Sequence, residues 1–192
     1  MINVLDKIIS DKKESLNLIK KEKSLDFLER EINDQIFFDF KEKIRNNNGI
    51  SLITEIKKAS PSAGLLIDNF NHIELAKMFT ENGATCLSVL TEEKYFMGKL
   101  EYIRDIKKEL KIPILAKDFF IDPYQITLSK SYGCDCILMI IAALDQNQAD
   151  EIYSEALKHN LSVIVEVHDQ KEAEAALKYD RALIGINNRN LK

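Results

Sequence analysis

A chain of 192 residues with 45% hydrophobic and 30% charged side chains has the make-up of one globular domain, not of a disordered or fibrous segment. Its 27 basic and 31 acidic residues leave a net charge of -4, which sets up no bulk field for nucleic acid or an anionic membrane, so any anionic ligand must be held by local charges. No run approaches the roughly 18 to 20 apolar residues that span a bilayer, and an odd set of cysteines (Cys86, Cys134, Cys136) without an apolar N-terminal signal predicts a cytoplasmic protein with free thiols.

Residues 1–48 read as a helical extension, with Leu5, Ile8, Ile9, Leu16 and Ile19 near one face and Leu25, Leu28, Ile32 and Ile36 continuing the spacing. The lysines opposite are interleaved with acidic residues and lack an aromatic platform, which makes them a solvated face and not a nucleic-acid surface. The turn signal Asn46-Asn47-Asn48-Gly49 separates this extension from residues 49–192, where short apolar runs alternate with amphipathic stretches. Strands are predicted over 51–56, 85–90, 112–116, 136–141, 161–167 and 182–186. Gly83 and Gly133 stand where helix C-caps belong. Near-continuous apolar strands alternating with helices predict an α/β domain with a parallel sheet buried on both faces. Periodicity alone does not choose between an open doubly wound sheet and a closed barrel, although the glycine fingerprint of the dinucleotide-binding form is missing. Cys134-Asp135-Cys136 has no second cysteine pair, and His72, His159 and His168 lie at no ligand spacing from it. No metal site is therefore expected, and these read as small buried residues at a strand start.

In either architecture, chemistry belongs at the C-terminal ends of the strands. There the first strand carries Glu55 and Lys57, placed on one side by the period of two and paired as carboxylate and ammonium; a structural salt bridge is the plainer reading of that pair alone. The loop after the second strand offers Phe96 as core cap or pocket wall. Lys117 ends the third strand, where an ammonium leaving a buried strand is suited to acid–base work. Glu166 sits inside the apolar run of the fifth, and such burial demands a partner. After the sixth, Asn187 and Arg189 share one side if the backbone stays extended. His168, at the entry to the following helix, is assigned a surface or capping role.

Five segments together resemble the indole-3-glycerol-phosphate synthase family: Glu55-Ile56-Lys57-Lys58-Ala59-Ser60-Pro61-Ser62, Leu90-Thr91-Glu92-Glu93-Lys94-Tyr95-Phe96, Pro113-Ile114-Leu115-Ala116-Lys117-Asp118-Phe119, Val165-Glu166-Val167-His168-Asp169 and Ile184-Gly185-Ile186-Asn187-Asn188-Arg189-Asn190-Leu191. The resemblance implies a (β/α)8 TIM barrel with an N-terminal helical extension, of which these residues cover about the first six βα units. It implies a lyase of tryptophan biosynthesis acting on 1-(2-carboxyphenylamino)-1-deoxyribulose 5-phosphate with loss of carbon dioxide and water, and it implies no cofactor and no metal. By the same resemblance Lys117 is the general acid of ring closure, Glu166 its partner carboxylate, Lys57 a positive charge for the substrate with a part in dehydration, and Glu55 the residue that orients and balances them. Ser60, Asn187 and Arg189 become polar substrate contacts, and Phe96, Phe119 and Leu138 the walls around the aromatic ring. The implied partner is a small phosphorylated anilino-sugar, with no nucleic acid and no membrane; other enzymes of the pathway are admitted as partners. The phosphate grip of such barrels belongs to two further βα units, so a fragment of a normal enzyme is expected ahead of a part-barrel completed by another chain or a remnant that only binds. The neighbouring phosphoribosylanthranilate isomerase, which shares the barrel, is a second enzyme-class reading but leaves the Lys117 and Glu166 segments unexplained.

Overall fold

The structure is a computed structural model and describes residues 4–33 and 35–188. It opens with three helices, α1 (Val4–Glu22), α2 (Leu25–Ile32) and α3 (Phe40–Arg45). Ser24 caps α2 by accepting the Phe27 N–H, and Asp39 caps α3 by accepting that of Glu42. The helical spacing does not persist across 35–39: this stretch is irregular and Ile36 is exposed. Its backbone serves tertiary contacts instead, for the Phe38 N–H is donated to the Asp135 carboxylate at 2.6 Å.

After β1 (Ile53–Ile56) comes a small antiparallel hairpin, β2 (Ala59–Ser60) and β3 (Gly64–Leu65). Helices then alternate with strands: α4 (His72–Glu81), β4 (Cys86–Leu90), α5 (Glu101–Glu109), β5 (Ile114–Lys117), α6 (Tyr124–Ser131), β6 (Cys136–Ile140), α7 (Gln146–Lys158), β7 (Ser162–Val167), α8 (Gln170–Ala176) and β8 (Leu183–Ile186). Except for β6, which begins at Cys136 as predicted, the strands of the main sheet begin one or two residues later than the apolar runs that predict them. β5 also ends a residue later, at Lys117, because Lys117 stays in register with Leu90 and its carbonyl accepts the Thr91 N–H. Gly83 and Gly133 end α4 and α6 at φ 93° and 94°, the left-handed backbone that favours glycine.

Six strands form one parallel sheet in the order β1-β4-β5-β6-β7-β8, each beside its successor in the sheet. A doubly wound sheet reverses its order at a switch point; this one does not, and the choice that periodicity leaves open falls to a curled, partial (β/α)8 barrel.

Alternation along the strands divides the core in two. Outward residues such as Leu87, Val89, Ile114, Ala116, Ile137, Met139, Val163 and Val165 pack under the helices. Inward residues Cys86, Leu115, Cys136, Leu138 and Ile140 gather with Ile164 and Leu183 around Phe40 of α3, which is fully buried. Burial of that one ring is worth about 1.5 to 3 kcal/mol. The Lys41 N–H, donated to the Ser162 hydroxyl at 3.2 Å, holds α3 against the start of β7. Outside the barrel, Leu16 of α1 and Leu28 of α2 pack on Tyr124, Leu128 and Tyr132. That covers α6 on its outer side as well, so all eight of its residues are buried and it shows no amphipathic pattern. Burial pushes the Lys130 ammonium of α6 down from its ordinary range, and its Nζ lies 3.2 Å from the centroid of the Phe37 ring.

Asp135 proves to be more than a small residue between cysteines. Its buried carboxylate accepts the N–H of Phe38, the N–H of Ile114 at 2.7 Å and the Lys107 ammonium at 2.6 Å, stapling the α2–α3 connection, β5 and α5 together. The three thiols are free and buried. Loss of solvation pushes Cys86 and Cys134 up to about 12 and Cys136 well above its ordinary range. At pH 8 the native chain should therefore leave Ellman's reagent unreacted and release three equivalents only in denaturant; a fast native equivalent would contradict the burial. No helix among the described residues is long and apolar enough to cross a membrane.

Candidate active site

At the C-terminal end of β1, Glu55 and Lys57 point the same way and their carboxylate and ammonium are in direct contact, both partly open to solvent. The β4 loop is folded onto its own strand by Glu92. This buried carboxylate accepts three backbone N–H groups, those of Lys94 at 3.2 Å, Tyr95 at 2.7 Å and Phe96 at 3.1 Å. The return requires Gly98, where an added Cβ would stand 2.2 Å from the Leu90 carbonyl oxygen. Held this way, the Phe96 ring faces that of Phe119, with centroids 6.2 Å apart and planes tilted by 40°.

Helix α1 clamps both aromatic-bearing loops. Asp11 accepts from the Lys94 ammonium at 2.6 Å and from the Tyr95 hydroxyl, and these hydrogen bonds, Lys94 first, hold its carboxyl below the usual range. Next to it Lys12 meets Asp118 at 2.6 Å, and Asp118 accepts the Thr91 hydroxyl at 2.8 Å. The residue after Lys117 is thus tied to the N-terminal helix.

Lys117 projects from the end of β5 with its Nζ 3.4 Å from Glu166 Oε2. Only 7% of Glu166 is exposed, and its second oxygen, Oε1, accepts Asn187 Nδ2 at 3.0 Å. The backbone stays extended as far as Asn187, whose N–H is donated to the Val167 carbonyl at 2.9 Å; this aims its amide back at β7. One buried carboxylate is therefore held between an amide and an ammonium.

Around this group opens a cleft of about 500 Å³, bordered by Glu55, Lys57, Lys117, Glu166, Asn187 and Asn188 and walled by Leu90, Phe96, Phe119, Leu138, Ile140 and Ile186. A larger depression of about 910 Å³ lies at the opposite strand ends, between Phe38, Lys130, Ser162 and Arg181. The smaller cleft is the candidate, because α/β barrels carry their reacting groups at strand C-termini and here paired charges from several strand ends face an apolar slot. Ser60 is outside its lining: its buried hydroxyl accepts the Ala63 N–H at 3.2 Å and lies 3.5 Å from Ser62 Oγ, in the β2–β3 turn. Arg189 lies outside the described residues. Among those described, no group of three or more His, Cys, Asp or Glu side chains could hold a metal ion.

The sequence reading passed over His168. Its backbone N–H is donated to Glu172 Oε2 at 2.8 Å at the entry to α8, yet its ring is not at the surface. Nδ1 lies 3.2 Å from Glu172 Oε2 and Nε2 lies 3.5 Å from Glu166 Oε1. The period of two that joins Glu55 to Lys57 applies equally to Glu166 and His168, and it was the available signal.

The arrangement suits proton transfer to and from a flat, partly apolar, anionic ligand. Two ammonium groups and two carboxylates face a slot wide enough for an aromatic ring. The profile of the indole-3-glycerol phosphate synthase family matches residues 5–192. A protein from Legionella pneumophila (strain Lens) of that name is 44% identical over 191 residues, spanning 100% of this chain and 74% of its own length. One from Ruminiclostridium cellulolyticum is 41% identical over 192 residues, 98% of this chain and 74% of that one, and one from Polaromonas sp. is 39% identical over 196 residues, with 100% and 74% covered.

Proposed function

The chain belongs to the indole-3-glycerol phosphate synthase family, lyases of tryptophan biosynthesis on a (β/α)8 barrel, and from that premise we propose that Lys117 and Glu166 are its acid–base pair. The contact of Lys117, Glu166 and Asn187 at the mouth of an apolar cleft carries this reading. The family binds a phosphorylated substrate; here it is 1-(2-carboxyphenylamino)-1-deoxyribulose 5-phosphate, its aromatic ring held by Phe96, Phe119 and Leu138. Residues 1–48 serve as an extension to the barrel of 49–192, and the protein works in the cytoplasm.

As the ring carbon bearing the carboxylate attacks the sugar carbonyl carbon, Lys117 gives a proton to the carbonyl oxygen, which becomes a hydroxyl. The bond to the carboxylate then breaks, carbon dioxide leaves, and the electron pair restores the aromatic ring. In the last step the new hydroxyl departs as water with a proton from Lys57, while Glu166 takes a proton from the neighbouring carbon so that the pyrrole double bond forms. At 3.4 Å, Glu166 can return that proton to Lys117. One proton is drawn from solvent for each turnover, matching the carboxylate lost as carbon dioxide. Glu55, in contact with Lys57, keeps that ammonium aimed. Asn187 contributes a polar contact from the cleft lining, and Ser60, from outside that lining, and Arg189 are further polar contacts in this reading. Every electron pair moves within the substrate, so the scheme calls for no cofactor.

The test is direct: the purified chain is mixed with this substrate, and indole absorbance and released carbon dioxide are followed together. Equal molar amounts of the two are expected. Absence of both from a folded sample at micromolar concentration would sink the proposal.

A further inference from the structure

We propose that His168 is a positioning residue for Glu166, held in place by Glu172; the inference rests on the reading of Glu166 as the proton-transferring carboxylate. The imidazole is wedged between two carboxylates, with Nδ1 3.2 Å from Glu172 Oε2 and Nε2 3.5 Å from Glu166 Oε1. Its side chain is 15% exposed, and Nε2 is a buried nitrogen without a hydrogen-bond partner at ordinary length. Such an atom wants an acceptor, and Glu166 Oε1 stands 3.5 Å from it.

Glu172 fixes the ring from behind, since the same Oε2 also accepts the His168 N–H at 2.8 Å while the Asp169 side chain caps α8 through the Glu172 N–H at 2.9 Å. Strand β7 and helix α8 are thereby locked at the joint from which the ring projects. The consequence falls on the division of labour at Glu166. Its Oε1 is the oxygen shared by Asn187 Nδ2 and His168 Nε2, which leaves Oε2 turned toward Lys117 and the cleft. The Asn187 hydrogen bond and the longer His168 contact on one oxygen restrain the carboxylate from rotating about its last bond. A long contact of this kind closes as ligand enters, as hydrogen bonds of empty active sites commonly do. His168 touches no reacting atom in this scheme and acts through Glu166 alone.

Two substitutions separate this role from a merely structural one. His168→Gln can place an amide N–H where Nε2 stands, and His168→Asn can place one where Nδ1 stands. If the ring exists to hold Glu166, the Asn variant loses about 10- to 100-fold in kcat, the cost of misplacing a catalytic group by an ångström or so, with KM unchanged. The Gln variant then retains most of the parental kcat. If the ring exists only to anchor α8, Asn is the tolerated replacement and Gln is not. Parental kcat in the Asn variant, a fall in the Gln variant as deep as in Asn, or a loss in both together with helical circular dichroism would each overturn the proposal. Glu166→Gln is assayed alongside. Near-parental turnover there means that the reading of Glu166 itself has failed, whereas an inactive Glu166→Gln beside a fully active Asn variant fails the role of His168 alone.

Discussion

Lys117→Met is expected to lower kcat by about 10²- to 10⁴-fold, the usual contribution of a positioned general acid, while the folded state survives. Methionine keeps the length and the apolar stem of lysine against Leu90 and Phe119 but has no proton to give. When the ammonium is lost, Glu166 keeps the Asn187 amide. The substitution therefore removes an interaction of the transition state, and kcat should fall with kcat/KM. Steady-state assay by indole absorbance, with circular dichroism for the fold, checks it. Turnover within a few-fold of the parent would take the proton donor away from Lys117.

The second large effect lies far from the cleft. Asp135→Ala should cost about 3 to 5 kcal/mol of unfolding free energy, because it strands the Lys107 ammonium in a buried site and leaves the N–H groups of Phe38 and Ile114 without their acceptor. Burial pushes Asp135 up and Lys107 down, so both members resist ionisation where they stand and their attraction only offsets that resistance. The loss measured is thus the penalty of the orphaned groups, not the worth of the pair. In a domain of this size it corresponds to a fall in Tm of roughly 6 to 20 °C. Denaturant melts of the variant and parent decide; a change below about 1 kcal/mol would show that the staple is dispensable.

What could be read ahead of the structure depended on how local the signal was. Parallel strands buried on both faces are apolar along their length, so all six were visible to within two or three residues, and the alternation rule put Glu55, Lys57, Lys117 and Glu166 at one end of the sheet. Strand order is a property of the sheet alone, and only β1-β4-β5-β6-β7-β8 distinguishes a barrel from a doubly wound sheet. Other features were hidden because they join distant parts of the chain. α6 shows no polar face because α1 and α2 cover its outer side. Asp135 looks incidental until Phe38, Lys107 and Ile114 meet at it. Asp11 and Lys12 read as part of a solvated helix face, yet they hold the loops that carry Phe96 and Phe119. Glu92 belongs to one of the family-like segments, and its reason, the capture of its own loop's backbone, is visible only in the fold. His168 does stand at the entry to α8, but the burial of its ring between Glu166 and Glu172 is a tertiary fact that a helix-entry role does not announce.

The inner face of the sheet also divides by height, with Cys86, Leu115 and Cys136 closing around Phe40 below and Glu55, Lys117 and Glu166 standing above. The strand ends therefore offer rim positions whose identity can change while the seal beneath them stays whole. A saturation scan along β5 should show loss of fold at Leu115 and loss of turnover alone at Lys117, two residues away. Such a scaffold is evolvable one strand at a time: a new reaction needs fresh side chains on the rim, and the plug that keeps the sheet curled has no part in the exchange.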